Sequence, residues 1–402
     1  MKYSAKEVMQ YVTEEDVKFI RLAFCDVYGE QKNISIMPGE LPRAFRYGVA
    51  IDASAIRGFG EETHSDLFLH PDPCTITVLP WRPEHGRVVR MFCDIRYPDG
   101  KPFEADARFL LKSTAEKAHE AGFSFFFGSE LEFYLFQNDE GGNPTKKPYD
   151  KAGYMDIAPT DKGENVRREI CLTLEQMGII PESSHHEQGP GQNEIDFHYA
   201  EPLSGADQVI TARSAIRTIA ARNGLTADFS PKPLEDSAGS GMHINFSVKS
   251  TSEEDILPCA IAGILRYAPD MTVFLNPTEA SYRRLGSNKA PDRIAWSPEN
   301  RSTLIRIPAA SGEYRRAELR SPDATANPYL AYTLIIRAAL CGIREKMPLC
   351  EKADINFYTA SNEEKNRYSR LPETLFDAKA CAAASEFIHD ALPLHLIDAY
   401  CR

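Results

Sequence analysis

Residues 122–136, GFSFFFGSELEFYLF, constrain the fold more than any other part of this 402-residue chain. The run is almost wholly apolar and rich in aromatic residues, which suits a strand buried on both faces. In a strand, residues i and i+2 point to the same side, so Glu130 and Glu132 project together with Leu131 behind them. Two carboxylates side by side in a buried strand repel each other and are costly to desolvate. Something positive has to face them. A salt bridge to Arg or Lys meets that demand, and so does a metal ion or a catalytic role.

Three further segments repeat the idea. QGPGQNEI (188–195) reads as a tight loop feeding a strand, with Glu187 before it and Glu194 at its far end. GSGMHINFS (239–247) puts His243 and Asn245 on one face, behind a glycine pair that lets backbone come close to a ligand. RRAELR (315–320) puts Glu318 and Arg320 on one face. A lone histidine on a strand is more often structural than a ligand. Four such segments in one chain favour a shared site. Glu130, Glu132, Glu187, Glu194, His243 and Glu318 supply carboxylates and one imidazole, which suit Mg2+ or Mn2+ better than a thiolate-rich zinc site. So many ligands exceed what one Mg2+ takes from protein, so about two or three ions are expected. Ions of this kind bind nucleotide phosphates and offset charge in phosphoryl transfer. Arg284, Arg301, Arg306, Arg316 and Arg320 all lie between residues 284 and 320. Any one of them is compatible with a solvated face, but beside a metal cage they imply an anionic substrate next to a nucleotide.

The length predicts two domains. Residues 1–99 are rich in short apolar runs broken by turn signals, such as 19–27 and 75–79, and read as a strand-dominated domain. Tyr97-Pro98-Asp99-Gly100 is a turn cluster that marks the boundary. Residues 100–402 read as a mixed domain. Its helices are expected over 107–121, 164–177, 203–223 and 327–344, stopping at Gly122, Gly178 and Gly224 or starting at Asn327-Pro328. A net charge of −12 argues against a nucleic-acid binder. No apolar run is long enough to span a bilayer, and no secretory signal is visible. Nine scattered cysteines without a Cys-x-x-Cys pair argue for a reducing, cytoplasmic setting.

At these residues the sequence resembles the glutamine synthetase family. The likeness begins with IDASAIRGF (51–59), SDLFLHPD (65–72) and LPW (79–81). It continues through GSELEF, HHEQGPGQNEID, PKP, GSGMHIN, NPTEASYRRL, NRSTLIRIP and RRAELRSPDATANPYL. The resemblance implies an α+β fold: an N-terminal β-grasp domain, then a catalytic domain whose curved antiparallel sheet forms a funnel with flanking helices. It also implies homo-oligomeric rings of six, single or stacked, with active sites between neighbouring subunits.

Roles follow by resemblance. Glu132, Glu187 and Glu194 match the ligands of a first metal, and Glu130, His243 and Glu318 those of a second. Arg284, Arg301 and Arg320 match the arginines on the glutamate carboxylates and the transferring phosphate, and Gly239 matches the glycine beside glutamate. His243 also falls beside that substrate. Glu182, Ser247, Arg306 and Arg316 match nucleotide contacts, and Asp52 matches an aspartate lent by the neighbouring subunit to bind ammonium. The implied reaction joins glutamate, or a similar acid, to ammonia or an amine at the expense of ATP, through an acyl phosphate.

The chain departs from the family pattern in several places. Ala238 stands where an Asn is usual, and Asn245 where many members have a His near adenine. The usual Lys before RRAELR is not obvious. Lys289 stands where a loop glutamate takes a proton from ammonium; its cation would repel ammonium. The chain ends soon after LHLIDAY, which leaves a single ring or a smaller assembly conceivable. Tyr358 falls in an NFY segment similar to the family's nucleotidylated loop and is read as a surface tyrosine. The alternatives are a γ-glutamyl ligase for a non-ammonia amine and a non-catalytic nucleotide-binding relative.

Overall fold

The computed structural model describes residues 3–402 apart from 61, 62, 64, 83, 84, 253, 288, 310, 311, 313 and 314. The chain forms two compact units, Met1–Leu110 with Leu172–Ile179, and Leu111–Cys171 with Ile180–Arg402.

Among the described residues, the first unit is built on a six-stranded sheet. Its strands are β1 (Val17–Cys25), β2 (Gln31–Ile36), β3 (Val49–Asp52), β4 (Asp66–Pro71), β5 (Thr77–Val78) and β6 (Arg87–Arg96). The order is β2-β1-β6-β4-β3, with β5 also on β6, and β1 runs parallel to β6. Two helices accompany the sheet, α1 (Ala5–Glu14) and α2 (Leu41–Tyr47). Helix α1 starts at a reciprocal cap between Ser4 and Glu7, which satisfies backbone donors that a helix leaves open. The strand expected over 75–79 is shorter than its apolar content suggested. Asp72 accepts from the Cys74 amide and Pro73 enters a 3-10 turn, so only Thr77 and Val78 pair.

In the second unit β7 (Phe123–Asn138) is the central strand. Helix α3 (Ala107–Glu120), whose first four residues are counted with the first unit, precedes it. Strand β8 (Pro144–Pro148), α4 (Glu164–Gln176), whose residues from Leu172 on are counted with the first unit, β9 (Pro181–His186), β10 (Gln192–Phe197), α5 (Pro202–Arg222) and β11 (Leu225–Asp228) follow. Then come β12 (Met242–Ser250), α6 (Leu257–Leu275), α7 (Glu279–Arg284), β13 (Trp296–Pro298), β14 (Ile305–Ile307), β15 (Ala317–Leu319) and α8 (Pro328–Arg344). Short helices complete the chain. Helix α5 stops before Gly224, whose φ of +72° few side chains tolerate. Helix α8 starts where the Asn327 side chain accepts from the Tyr329 amide and Pro328 takes the first helical position.

The nine strands described here lie in the order β13-β14-β15-β12-β7-β10-β9, with β8 and β11 also on β7. All pairs are antiparallel except β13 with β14, a departure from the expected antiparallel sheet. One face of β7 meets the helices. Phe127 stacks on Tyr332 of α8 with ring centroids 4.1 Å apart, and Ser129 Oγ lies 2.7 Å from the Tyr332 hydroxyl. The opposite face carries Glu130 and Glu132. The mixed α and β content is the expected class.

Candidate active site

Strand register aligns the polar residues of β10, β7, β12 and β15. Glu132 of β7 faces Glu194 of β10, and Glu130 faces Asp196 on one side and His243 of β12 on the other. Asn245 faces Glu318 of β15, which faces Arg306 of β14. Directly paired antiparallel residues share a face, so these side chains form three neighbouring cross-strand rows on one face of the sheet.

The carboxylates at the β10 end crowd each other. Burial, then the charges of Glu132 and Glu130, raise the Glu194 carboxyl well above its ordinary range. The same causes, burial and Glu130, push Asp196 up to about 6. His185 Nε2 lies 3.2 Å from Glu187 Oε1 and 3.6 Å from Glu194 Oε1. Burial works against the Glu187 charge, yet the His185 bond and Lys289 hold its carboxyl below the usual range. Lys289 Nζ is 3.5 Å from Glu187 Oε2 and 4.6 Å from the centre of the Tyr154 ring.

Around β12, His243 Nδ1 lies 2.9 Å from Glu130 Oε2 and 3.7 Å from Glu318 Oε1. Burial and the Arg320 charge hold this imidazole down to about 4, so it is neutral at neutral pH with a lone pair to offer. Glu318 is buried and pairs with Arg320 and, at 2.8 Å, with Arg306. Asn245 donates to Glu130 at 2.8 Å and accepts from Arg316 Nε at 3.0 Å.

Among the described residues, three groups each bring their ligand atoms within 4.8 Å of one another: Glu130, Glu194 and His243; His185, Glu187 and Glu194; and, apart from this face, Asp150, Asp161 and His186. The sets implied by resemblance divide these residues differently. The physical reason lies in competing partners. Glu132 Oε2 accepts from the Gly241 amide at 2.6 Å, and Glu318 is held by its two arginines. The donor chemistry fits a divalent cation: hard oxygens, a neutral imidazole, and an acidic cluster in which burial first and mutual repulsion second already raise Glu194.

The remaining expected residues fall at five places. Glu182, Ser247 and Arg316 line one cavity of about 120 Å³ together with Phe126, Tyr199 and Asn245. Arg306 faces Glu318 instead. Arg284 is buried, donates to the Ser321 carbonyl at 2.8 Å, and runs so close to Gly239 that a Cβ there would lie 2.8 Å from Arg284 Cγ. Arg301 is exposed at a cavity of about 390 Å³ that Ser302, Asn356 and Tyr358 also line. Asp52 belongs to the first unit, where its carboxylate accepts from the Ser54 amide at 3.0 Å. Ala238 and Ser287 border a cavity of about 530 Å³. Asn288, beside Lys289, lies outside the described residues.

Sequence reasoning missed His185 and Asp196: Asp196 stands two positions from Glu194 on β10, whereas His185 reaches the site by pairing with Glu194 across strands. It also placed Tyr358 at the surface. Its hydroxyl is buried instead, and burial pushes the phenol up to about 12 against the pull of Arg320 and Arg284. Phe357 explains the inward turn: it packs with Ala295 and Ala353, and its amide donates to Ser302 Oγ at 3.0 Å.

A row of acids with one imidazole, flanked by buried arginines on a helix-backed sheet, defines a site for divalent cations and anionic groups. A family model described as "Glutamine synthetase, beta-Grasp domain" matches residues 16–98, and one described as "Glutamine synthetase, catalytic domain" matches residues 104–402. The chain is 40% identical to the glutamine synthetase of Clostridium saccharobutylicum, over 99% of this chain and 94% of that protein. It is 42% identical to the glutamine synthetase of Methanosarcina mazei, over 98% of this chain and 92% of that protein. The solved "GmaS/ADP complex-Conformation 1" matches with a TM-score of 0.89 and 26% identity, over all of this chain and 94% of the other. The chain belongs to the glutamine synthetase family, with that family's β-grasp and catalytic domains.

Proposed function

We propose that this protein is an ATP-dependent carboxylate–amine ligase that makes glutamine from glutamate and ammonia. The observation that carries the reading is the single sheet face that gathers Glu194, Glu132, Glu130, His243 and Glu318 beside Arg306 and Arg320. Glu132, Glu187 and Glu194 would hold one divalent ion, and Glu130, His243 and Glu318 a second, with Mg2+ or Mn2+ the natural choice for this donor set. Bound there, such ions offset charge on the nucleotide phosphates.

The chain's own residues account for the rest. Glu182, Ser247 and Arg316 face the nucleotide, with Arg306 on its phosphates. Arg284, Arg301, Arg320, Gly239 and His243 hold the acid. A side-chain carboxylate oxygen attacks the γ-phosphorus of ATP, the bond to the ADP oxygen breaks, and Arg301 and Arg320 neutralise the transferring group. The amine nitrogen then attacks the acyl carbon, phosphate leaves, and the surplus proton passes to a base. In a homo-oligomeric ring, Asp52 of a neighbouring copy supplies an anionic contact for the amine. Among the described residues no helix is long and apolar enough to cross a membrane, in keeping with a cytoplasmic enzyme.

Lys289 favours a second reading in which another amine is the acceptor. A cation 3.5 Å from Glu187 disfavours ammonium nearby. Phosphate release from ATP with glutamate and Mg2+ across a panel of amines separates the two: full turnover with ammonium eliminates the second reading. No release with any amine eliminates ligase activity and favours a nucleotide-binding role. Glu132→Ala is expected to abolish metal-dependent nucleotide binding; unchanged binding refutes the ligand assignment.

A further inference from the structure

The Tyr358 hydroxyl is buried and finds no hydrogen-bond partner among the described residues. A buried polar group in that condition calls for an explanation, and a ligand that arrives later is one. Its surroundings are cationic. Arg320 and then Arg284 are the charges that act on it most strongly, and Asp292 acts in the opposite sense. The backbone N–H of Lys289 approaches the phenol oxygen, which leaves the phenol's own hydrogen free to be donated. Both arginines are buried, and Arg320 Nε also lacks a partner among the described residues. The phenol borders the same cavity of about 390 Å³ as Arg301. With its pKa pushed up to about 12, it keeps its proton at neutral pH and offers an O–H donor.

The phenol is also held in direction. The neighbouring Phe357 packs edge-on against Tyr368 at 5.0 Å between centroids, and its amide is bonded to Ser302 Oγ. The Tyr358 amide donates to Asn356 Oδ1 at 3.0 Å. A hydroxyl fixed on a rigid backbone, facing cations and lacking a partner, suits an anionic oxygen.

We propose that Tyr358 is a binding residue for the acid substrate, donating its phenolic hydrogen bond to a carboxylate held by Arg284 and Arg320. The inference rests on the ligase reading and adds a neutral donor to its cationic set. A phosphate oxygen of the nucleotide offers the same chemistry, so the experiment separates the two sources.

The variant is Tyr358→Phe, which keeps the ring and removes only the hydroxyl. Because that hydroxyl donates to no protein group among the described residues, the ligand-free protein should melt at nearly the same temperature. The KM for glutamate should rise roughly tenfold, as for loss of one hydrogen bond to a charged group, while the KM for ATP stays within about twofold. A change in the ATP KM equal to that for glutamate overturns the proposal in favour of phosphate. An unchanged glutamate KM overturns it outright. Thermal shift with glutamate, in the presence of a non-hydrolysable ATP analogue and Mg2+, distinguishes the two levels of failure. Wild-type protein that no acid stabilises defeats the ligase reading and this inference with it. Wild type and variant stabilised to the same extent defeat this inference alone.

Discussion

Lys289→Met tests the most unusual contact of the site. The substitution keeps an unbranched side chain of similar reach and removes the charge. In the wild type, Nζ lies 3.5 Å from Glu187 Oε2 and 4.6 Å from the Tyr154 ring centre. At an effective dielectric constant of about 20 the gross attraction to Glu187 is about 5 kcal/mol. The lysine side chain is 30% exposed, and holding it costs rotamer freedom, so the net value falls to about 1 kcal/mol. The ring adds about 0.5–1 kcal/mol. A divalent ion that takes up Glu187 has to displace this cation and is repelled by it. Removing the charge should therefore tighten metal binding by about tenfold to thirtyfold, at about 1.4 kcal/mol per factor of ten. Calorimetric titration with Mn2+ at constant pH, on protein first dialysed against a chelator, measures it. A dissociation constant within twofold of wild type, or a weaker one, refutes the view that Lys289 competes for Glu187.

Two further outcomes are expected. In Gly239→Ala the new Cβ would sit 2.5 Å from the Pro231 carbonyl and 2.8 Å from Arg284 Cγ, and Arg284 is tied to Ser321. The variant should lose about 1–3 kcal/mol of stability and show a raised KM for the acid with little change for ATP, measured by urea unfolding and steady-state kinetics. His186 predicts a pH dependence. Its Nε2 lies 2.9 Å from Asp150 Oδ1 and its Nδ1 2.7 Å from the Glu187 carbonyl, so only the imidazolium donates to both. Burial opposes that charge, but the Asp150 bond and the Glu187 carbonyl outweigh it and raise the pKa above 6.5. The folded chain then holds the proton more tightly than the unfolded chain. This stabilisation is full below pH 6.5 and is lost as pH rises through the folded value. His186→Gln should remove that component of the slope in unfolding free energies measured from about pH 6 to 9; an unchanged slope refutes the assignment.

Much of the site was legible because strand geometry is local. Alternation alone placed Glu130 with Glu132 and His243 with Asn245, since successive side chains must point to opposite faces. The same rule reaches Asp196 from Glu194, whereas His185 is brought in by its pairing with Glu194 across strands. Helix limits were legible where Gly224 or Asn327-Pro328 punctuates the chain. The segment 75–79 misled because apolar content was weighed above the Asp72-Pro73 turn that shortens the strand. Tyr358 misled because a tyrosine in a polar loop looks exposed until Phe357 anchors its backbone in a core.

The acidic residues and the imidazole were therefore written in the sequence, together with the need for cations around them. Partnership was not. That Glu132 faces Glu194, that Glu318 is claimed by Arg306 and Arg320, and that Lys289 leans on Glu187 all follow from register and loop closure. The reason is one of range. Backbone sterics set the face of each side chain over two residues, whereas the few ångströms that decide which charges meet depend on contacts between segments far apart in the chain.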